Sequence, residues 1–167
     1  MPIGSDTYAY RGRLPHLINR GKTYFVTFHA CRGLGLSPRA REIALNCCIH
    51  DHELLCWVDC CVVMPDHVHL LVIPHDDIVL SRVMARIKGA SVHKINRIMG
   101  RTGHLWQRES FDHILRSDEK LAKVREYICM NPVRAGLATS PDDYPWLWRS
   151  WMLDGTEDGG RSGRRYT

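Results

Sequence analysis

The sequence predicts an α+β fold, an antiparallel sheet with helices packed on one face. Three observations carry that expectation. Short runs rich in β-branched and aromatic residues are separated by segments of helical spacing. Their order is β, α, β, β, α, β, α, and the first six are the elements of a ferredoxin-like split βαβ sandwich. The two middle strands follow one another across only Pro65-Asp66 and read as an antiparallel pair, although that link is not a favoured Gly-containing turn.

Each element has its own local reason. TYFVTFHAC (23–31) has the composition of a strand. Pro38 suits the first turn of a helix over RAREIALNCCIHDHEL, with Ile43, Cys47 and Leu54 among its apolar positions. LLCWVDCCVVM (54–64) and HVHLLVIP (67–74) are the paired strands. DIVLSRVMARIKGASVHKINRIMG is a second helix, stopped by Gly100. HLWQRESFDHILR (104–116) holds another strand. Ser117 caps a third helix, DEKLAKVREYICMN, with Asp118 and Glu119 well placed against its dipole. Pro132 marks its end or a kink. The division expected is an irregular basic arm over 1–22, one domain over 23–153 with Trp146, Trp148 and Trp151 packed partly on it, and a disordered basic tail over 154–167.

At 167 residues the chain can bury a core without metal or disulfide staples. Twenty-three Lys and Arg against 18 Asp and Glu give a formal charge of +5, which favours a polyanionic partner without requiring one. The seven cysteines form no C-x-x-C and fall in apolar runs, where a thiol serves as a small hydrophobe. No segment reaches the ~18 apolar residues of a spanning helix, and the N-terminus has no apolar signal stretch. These features imply a cytoplasmic protein that is not embedded in a membrane.

VVMPDHVHLLVIP (62–74) interrupts an apolar run with two histidines. Residues two apart on a strand face the same way, so His67 and His69 project together while Val68 points oppositely. Two imidazoles so placed can share one metal ion and leave positions open for substrate oxygens and water. The plainer reading is a pair of half-buried, hydrogen-bonded strand histidines. His50 and His52 have the same spacing but fall on a helical segment, where i and i+2 do not share a face. His29 and His113 are isolated in sequence, although either can approach the site in space.

The third helix offers a nucleophile. Leu121, Val124 and Ile128 form its buried stripe, and Lys120, Lys123, Tyr127 and Asn131 lie on another face. Phosphodiester transfer needs charge stabilisation at the phosphate and an oxygen nucleophile in line. A phenol, with pKa ~10, needs a base, metal or cation nearby. Lys123, one turn before Tyr127, can help electrostatically. Asn131 can be a third, carboxamide ligand if the helix persists to Pro132. The structural alternative is a packed ring with its hydroxyl bonded to a neighbour.

LPHLINRGKTYFVTF, VVMPDHVHLLV, GHLWQRESFDHILR and YICMNPVRAGL together resemble, in order, the motifs of the REP-associated tyrosine transposases. These are a bacterial branch of the HUH-type single-strand transposases. The resemblance covers most of the chain. It implies His67 and His69 as metal ligands, Asn131 as the third, and Tyr127 as sole nucleophile, with Mg²⁺ or Mn²⁺ as cofactor. It implies the ferredoxin-like fold, and cleavage that leaves a 5′-phosphotyrosine on the protein and a free 3′-OH on the DNA. The covalent bond conserves the phosphodiester energy, so no ATP is needed for rejoining. The implied partner is single-stranded DNA carrying a hairpin, a REP-like imperfect palindrome, in a bacterial, nucleoid-associated setting. Monomer and homodimer are both open.

For the nucleic-acid surface the candidates are Arg11 and Arg13 of the arm, and Arg82, Arg86, Lys88 and Arg97 of the second helix, joined by Lys123 of the third. His93, Lys94, Arg101 and the tail arginines Arg161, Arg164 and Arg165 extend the set. Trp106 can stack an unpaired base, although a core role suits an indole in an apolar strand better. Two other functions stay open. One is a non-catalytic, structure-specific nucleic-acid-binding protein of the same fold. The other is a structural zinc site joining the histidines to Cys60 or Cys61.

Overall fold

The computed structural model describes residues 21–152. The basic arm and the tail, with Arg11, Arg13, Arg161, Arg164 and Arg165, lie outside the described residues. The elements are β1 (Thr23–Ala30), α1 (Pro38–Ile49), β2 (Cys56–Val63), β3 (His67–Pro74), α2 (Leu80–Met99), β4 (Trp106–Leu115) and α3 (Asp118–Arg134), followed by β5 (Leu147–Arg149) between two short 3₁₀ turns. The strands form one sheet in the order β4-β1-β3-β2-β5, and every pairing is antiparallel. Among the described residues no helix is long and apolar enough to cross a membrane.

Strand alternation builds two cores. Val26 and Phe28 of β1, Val58, Cys61 and Val63 of β2, and Val68, Leu70 and Val72 of β3 pack under α1 and α2. Cys60, Val62, Met64 and Leu71 face the other way and meet Leu121, Val124 and Ile128 of α3. The expectation of helices on one face therefore holds for α1 and α2, whereas α3 lies across the sheet. The seven-element order fixed no face for that last helix.

The first helix is shorter than its apolar pattern, and a backbone turn explains the stop. The first helix ends at Ile49, because the Asp51 carbonyl accepts the amides of Leu54 and Leu55 in a tight turn. His50 and His52 thus lie beyond the helix, and Leu54 is exposed. Asp51 is held there by Arg86, whose Nε and Nη2 donate to its carboxylate at 2.6 and 3.0 Å. At the other end, α3 runs through Pro132 and closes at Gly136, whose φ of +72° needs a glycine. Ser117 caps it, accepting from the Lys120 amide at 3.3 Å.

A bulge in β2 positions α3. The register steps from Val58 opposite Val72 to Cys60 opposite Leu71, so Asp59 is the extra residue. Its carboxylate takes both Nε and Nη2 of Arg125 on α3, with both side chains almost fully buried. The Trp151 ring lies 4.9 Å from that guanidinium.

Candidate active site

The pleat turns His67 and His69 of β3 toward the α3 side of the sheet, and α3 lays Tyr127 against them. The His67 and His69 rings are 4.7 Å apart between centroids, and the Tyr127 ring is 5.2 Å from His69. Phe25, on the same face of β1, closes the floor 6.0 Å from Tyr127. Tyr127 remains 40% exposed, so its ring is both packed and reachable by a large substrate.

The two imidazoles are held at one nitrogen each. His69 Nδ1 lies 2.8 Å from Thr27 Oγ1, and Thr27 is the register partner of His69 across β1 and β3. His67 Nδ1 lies 2.6 Å from an Asp66 carboxylate oxygen. The tautomer in which Nδ1 donates to these oxygens leaves a free lone pair on each Nε2. His69 Nε2 is buried and has no hydrogen-bond partner among the described residues. Leaving such a group unpaired costs about 1–3 kcal/mol. Burial, reinforced by His67 and His29, pushes the His69 pKa down to about 3, so the ring is a neutral donor. His29 stacks on His67 at 5.2 Å and makes a third imidazole of the cluster.

Asn131 follows Tyr127 by four residues on α3, half-buried and on the same flank. Two imidazoles and a carboxamide are a fitting donor set for a divalent cation that keeps open positions. Among the described residues no group of three or more His, Cys, Asp or Glu side chains gathers as a metal site. The zinc alternative thus lacks its ligands. Cys60 and Cys61 are completely buried on opposite faces of β2, and burial drives both thiols well above their ordinary pKa.

The cation near the phenol is not the expected one. Lys123 reaches away to Glu119 at 2.7 Å, both of them exposed. Arg134, two turns beyond Tyr127, lies over its ring at 5.9 Å. Positions 127, 131 and 134 make an i, i+4, i+7 stripe, a signal that the sequence carried. Thr27 was hidden, because it joins the site only through strand register.

The expected phosphate-contacting residues divide. Arg82 and Arg97 are exposed on α2. Arg86 spends its donors on Asp51, tying α2 to the end of α1. Lys88 is half-buried and donates to the Gln107 carbonyl at 3.2 Å. Trp106 is a core residue, donating to Ser91 Oγ at 2.8 Å and meeting Phe28 edge-on.

A split βαβ sheet with a histidine pair and a helix-borne tyrosine on one face defines the class, and comparison with known proteins agrees. A family model described as IS200-like transposase matches residues 37–131, more than half of the chain, and the chain belongs to that family. A curated protein of Haemophilus influenzae, described as a candidate REP-associated tyrosine transposase, is 31% identical over 94 residues, 50% of this chain and 53% of that protein. The chain thus spans about half the length of the curated relative it matches. A solved REP-associated tyrosine transposase bound to a REP hairpin superposes with a TM-score of 0.63 at 21% identity, covering 89% of this chain and 94% of that one, and shares the fold. A crystal structure of a candidate transposase from Deinococcus radiodurans covers 71% of this chain and 95% of its own at 21% identity, with a TM-score of 0.45.

Proposed function

We propose that this chain cuts and rejoins single-stranded DNA beside a hairpin, with Tyr127 as the nucleophile. One observation carries the reading: Tyr127 of α3 packs against His69 of β3, whose Nε2 is buried and unpartnered. Nothing in a purely structural role asks for that juxtaposition, since a core histidine would be bonded at both nitrogens.

The residues divide the work. The Tyr127 oxygen forms the new bond to phosphorus, and the bond from phosphorus to the 3′ oxygen breaks. The phenol gives up its proton and the departing 3′ oxygen gains one, leaving a 5′-phosphotyrosine and a free 3′-OH. Reversal by another strand's 3′-OH rejoins DNA with no external energy source. Arg134 holds positive charge over the ring. Thr27 and Asp66 keep both imidazoles oriented. A Mg²⁺ or Mn²⁺ ion held by His67, His69 and Asn131 would supply Lewis-acid stabilisation of phosphate charge. The hairpin partner is proposed by extension from the solved relative.

The test is a hairpin oligonucleotide with an unpaired flank, incubated with protein and Mn²⁺ and run on a denaturing gel. Wild-type protein is expected to give an SDS-stable protein–DNA band, and Tyr127→Phe to bind DNA but give none. An undiminished band in the variant removes Tyr127 from the chemistry. Binding without any band from wild type would favour the non-catalytic reading.

A further inference from the structure

Carboxylates hold the cations near the end of α3. Glu119 takes Lys123, Asp59 takes Arg125, and Asp142 takes Arg149. Arg134, the last residue of α3, is different. It is exposed and has no hydrogen-bond or ion-pair partner among the described residues. Its contact is with the nucleophile, for Cζ lies 5.9 Å from the centre of the Tyr127 ring.

A basic residue in the last turn of a helix ordinarily answers the dipole or the orphan carbonyls. Here the carbonyls have other donors. Those of Asn131, Pro132 and Val133 accept the amides of Ala135, Leu137 and Gly136 at 3.0, 2.9 and 3.0 Å. Gly136, at its positive φ, thus lets the backbone close the helix alone, and the guanidinium is not needed as a cap. Helical side chains lean toward the N-terminus of their helix, which carries Arg134 back toward Tyr127.

We infer that Arg134 is a further catalytic residue, whose guanidinium grips the phosphate that Tyr127 attacks. The inference rests on the reading of Tyr127 as the nucleophile of DNA cleavage. The phosphate has two non-bridging oxygens, which keep their negative charge while the Tyr127 oxygen bonds to phosphorus and the 3′ oxygen leaves. Phe25 and Asn131, beside the phenol, are uncharged, and Lys123 has turned to Glu119. The positive charge that α3 places over the ring is that of Arg134.

The side chain suits the task. A guanidinium presents its N–H donors in a planar fork that matches two phosphate oxygens, and it keeps its proton throughout. Contact with the ring commits no N–H group to an acceptor atom, so the fork stays available. The grip serves both directions of the reaction. After cleavage the same phosphate is the phosphotyrosine, and a 3′-OH must attack it in the same place.

The experiment has two readouts on Arg134→Gln, with thermal unfolding to check that the variant folds. The first is the single-turnover rate of adduct formation at saturating hairpin oligonucleotide and Mn²⁺. It is expected to fall about 100–1,000-fold, as when one donor to a developing oxyanion is removed. The second is binding, measured by fluorescence anisotropy in Tyr127→Phe protein, which forms no adduct. The oligonucleotide carries either a phosphodiester or an uncharged methylphosphonate at the cleaved position. The methylphosphonate should weaken binding about 10-fold more when Arg134 is present than when glutamine replaces it. A structural role for Arg134 does not produce that difference. An adduct rate in Arg134→Gln equal to wild type, or an equal methylphosphonate effect with and without Arg134, overturns this role alone. No adduct from the wild-type protein overturns the cleavage reading and this role with it.

Discussion

His69 has one nitrogen committed to Thr27 and another with no hydrogen-bond partner among the described residues. Replacing Thr27 by Val keeps the side-chain volume and removes the oxygen that orients the ring. Thr27→Val is expected to weaken Mn²⁺ binding by about 10–100-fold. Titration followed by electron paramagnetic resonance measures it, and unchanged affinity would show that the threonine does not set the ligand. The histidine pair was legible in the sequence because the strand period of two puts both on one side, and Tyr127 with Asn131 because helix spacing does the same. Thr27 was not legible. It enters through the pairing of β1 with β3, forty-two residues apart in sequence, and no local pattern states that register. Lys123 shows the same limit from the other side: its ammonium pairs with Glu119, one turn before it on the helix.

At the level of elements, the nucleophile helix depends on an ion pair inside the protein. Asp59 sits at the β2 bulge and Arg125 lies two residues before Tyr127, on the side that faces the sheet. Breaking one partner leaves a buried charge, so Arg125→Met is expected to cost about 3–5 kcal/mol in urea unfolding. Pairing it with Asp59→Leu should recover most of that loss; equal instability of the double variant would mean that packing, not charge, is at stake. The junction of α1 and α2 gives a pH-dependent counterpart. The hydrogen bonds from Arg86 are the main cause holding the Asp51 carboxyl below its usual 3.8. A depressed folded value means stability present above the unfolded pKa and lost as pH falls through the folded one. The destabilisation by Asp51→Asn should thus be full at pH 7 and fade below pH 4, read by thermal unfolding across that range. A difference that persists at pH 2 would rule out the ionised pair as its source. The helix and strand order was readable from periodicity, but β5 was not: three residues after a proline are too few to alternate visibly.

On the scale of the molecule, the sheet separates two surfaces with different chemistry. One carries the histidines, the tyrosine and an exposed phenylalanine; the other, across β4, carries a basic groove between α2 and the loop into β4. The helical spacing of Arg82, Arg86 and Arg97 suggested one basic face on α2. Folding draws Arg86 into the Asp51 clamp and joins Arg97 to residues of the following loop, so the charged surface is shared between two elements. The position of α3 across the sheet was equally unreadable, since its apolar stripe fits either face. That placement is nonetheless what brings the phenol to the imidazoles.

The most direct measurement is mass spectrometry of tryptic peptides after reaction with a hairpin oligonucleotide and Mn²⁺. Cleavage after Arg125 and Arg134 releases one peptide, residues 126–134, that contains Tyr127 and Asn131. The expected result is the nucleotide mass on Tyr127 of that peptide, lost when Mn²⁺ is chelated and lost in His69→Ala. A nucleotide mass on any other residue, or an adduct on Tyr127 indifferent to both treatments, would contradict a single site built from β3 and α3.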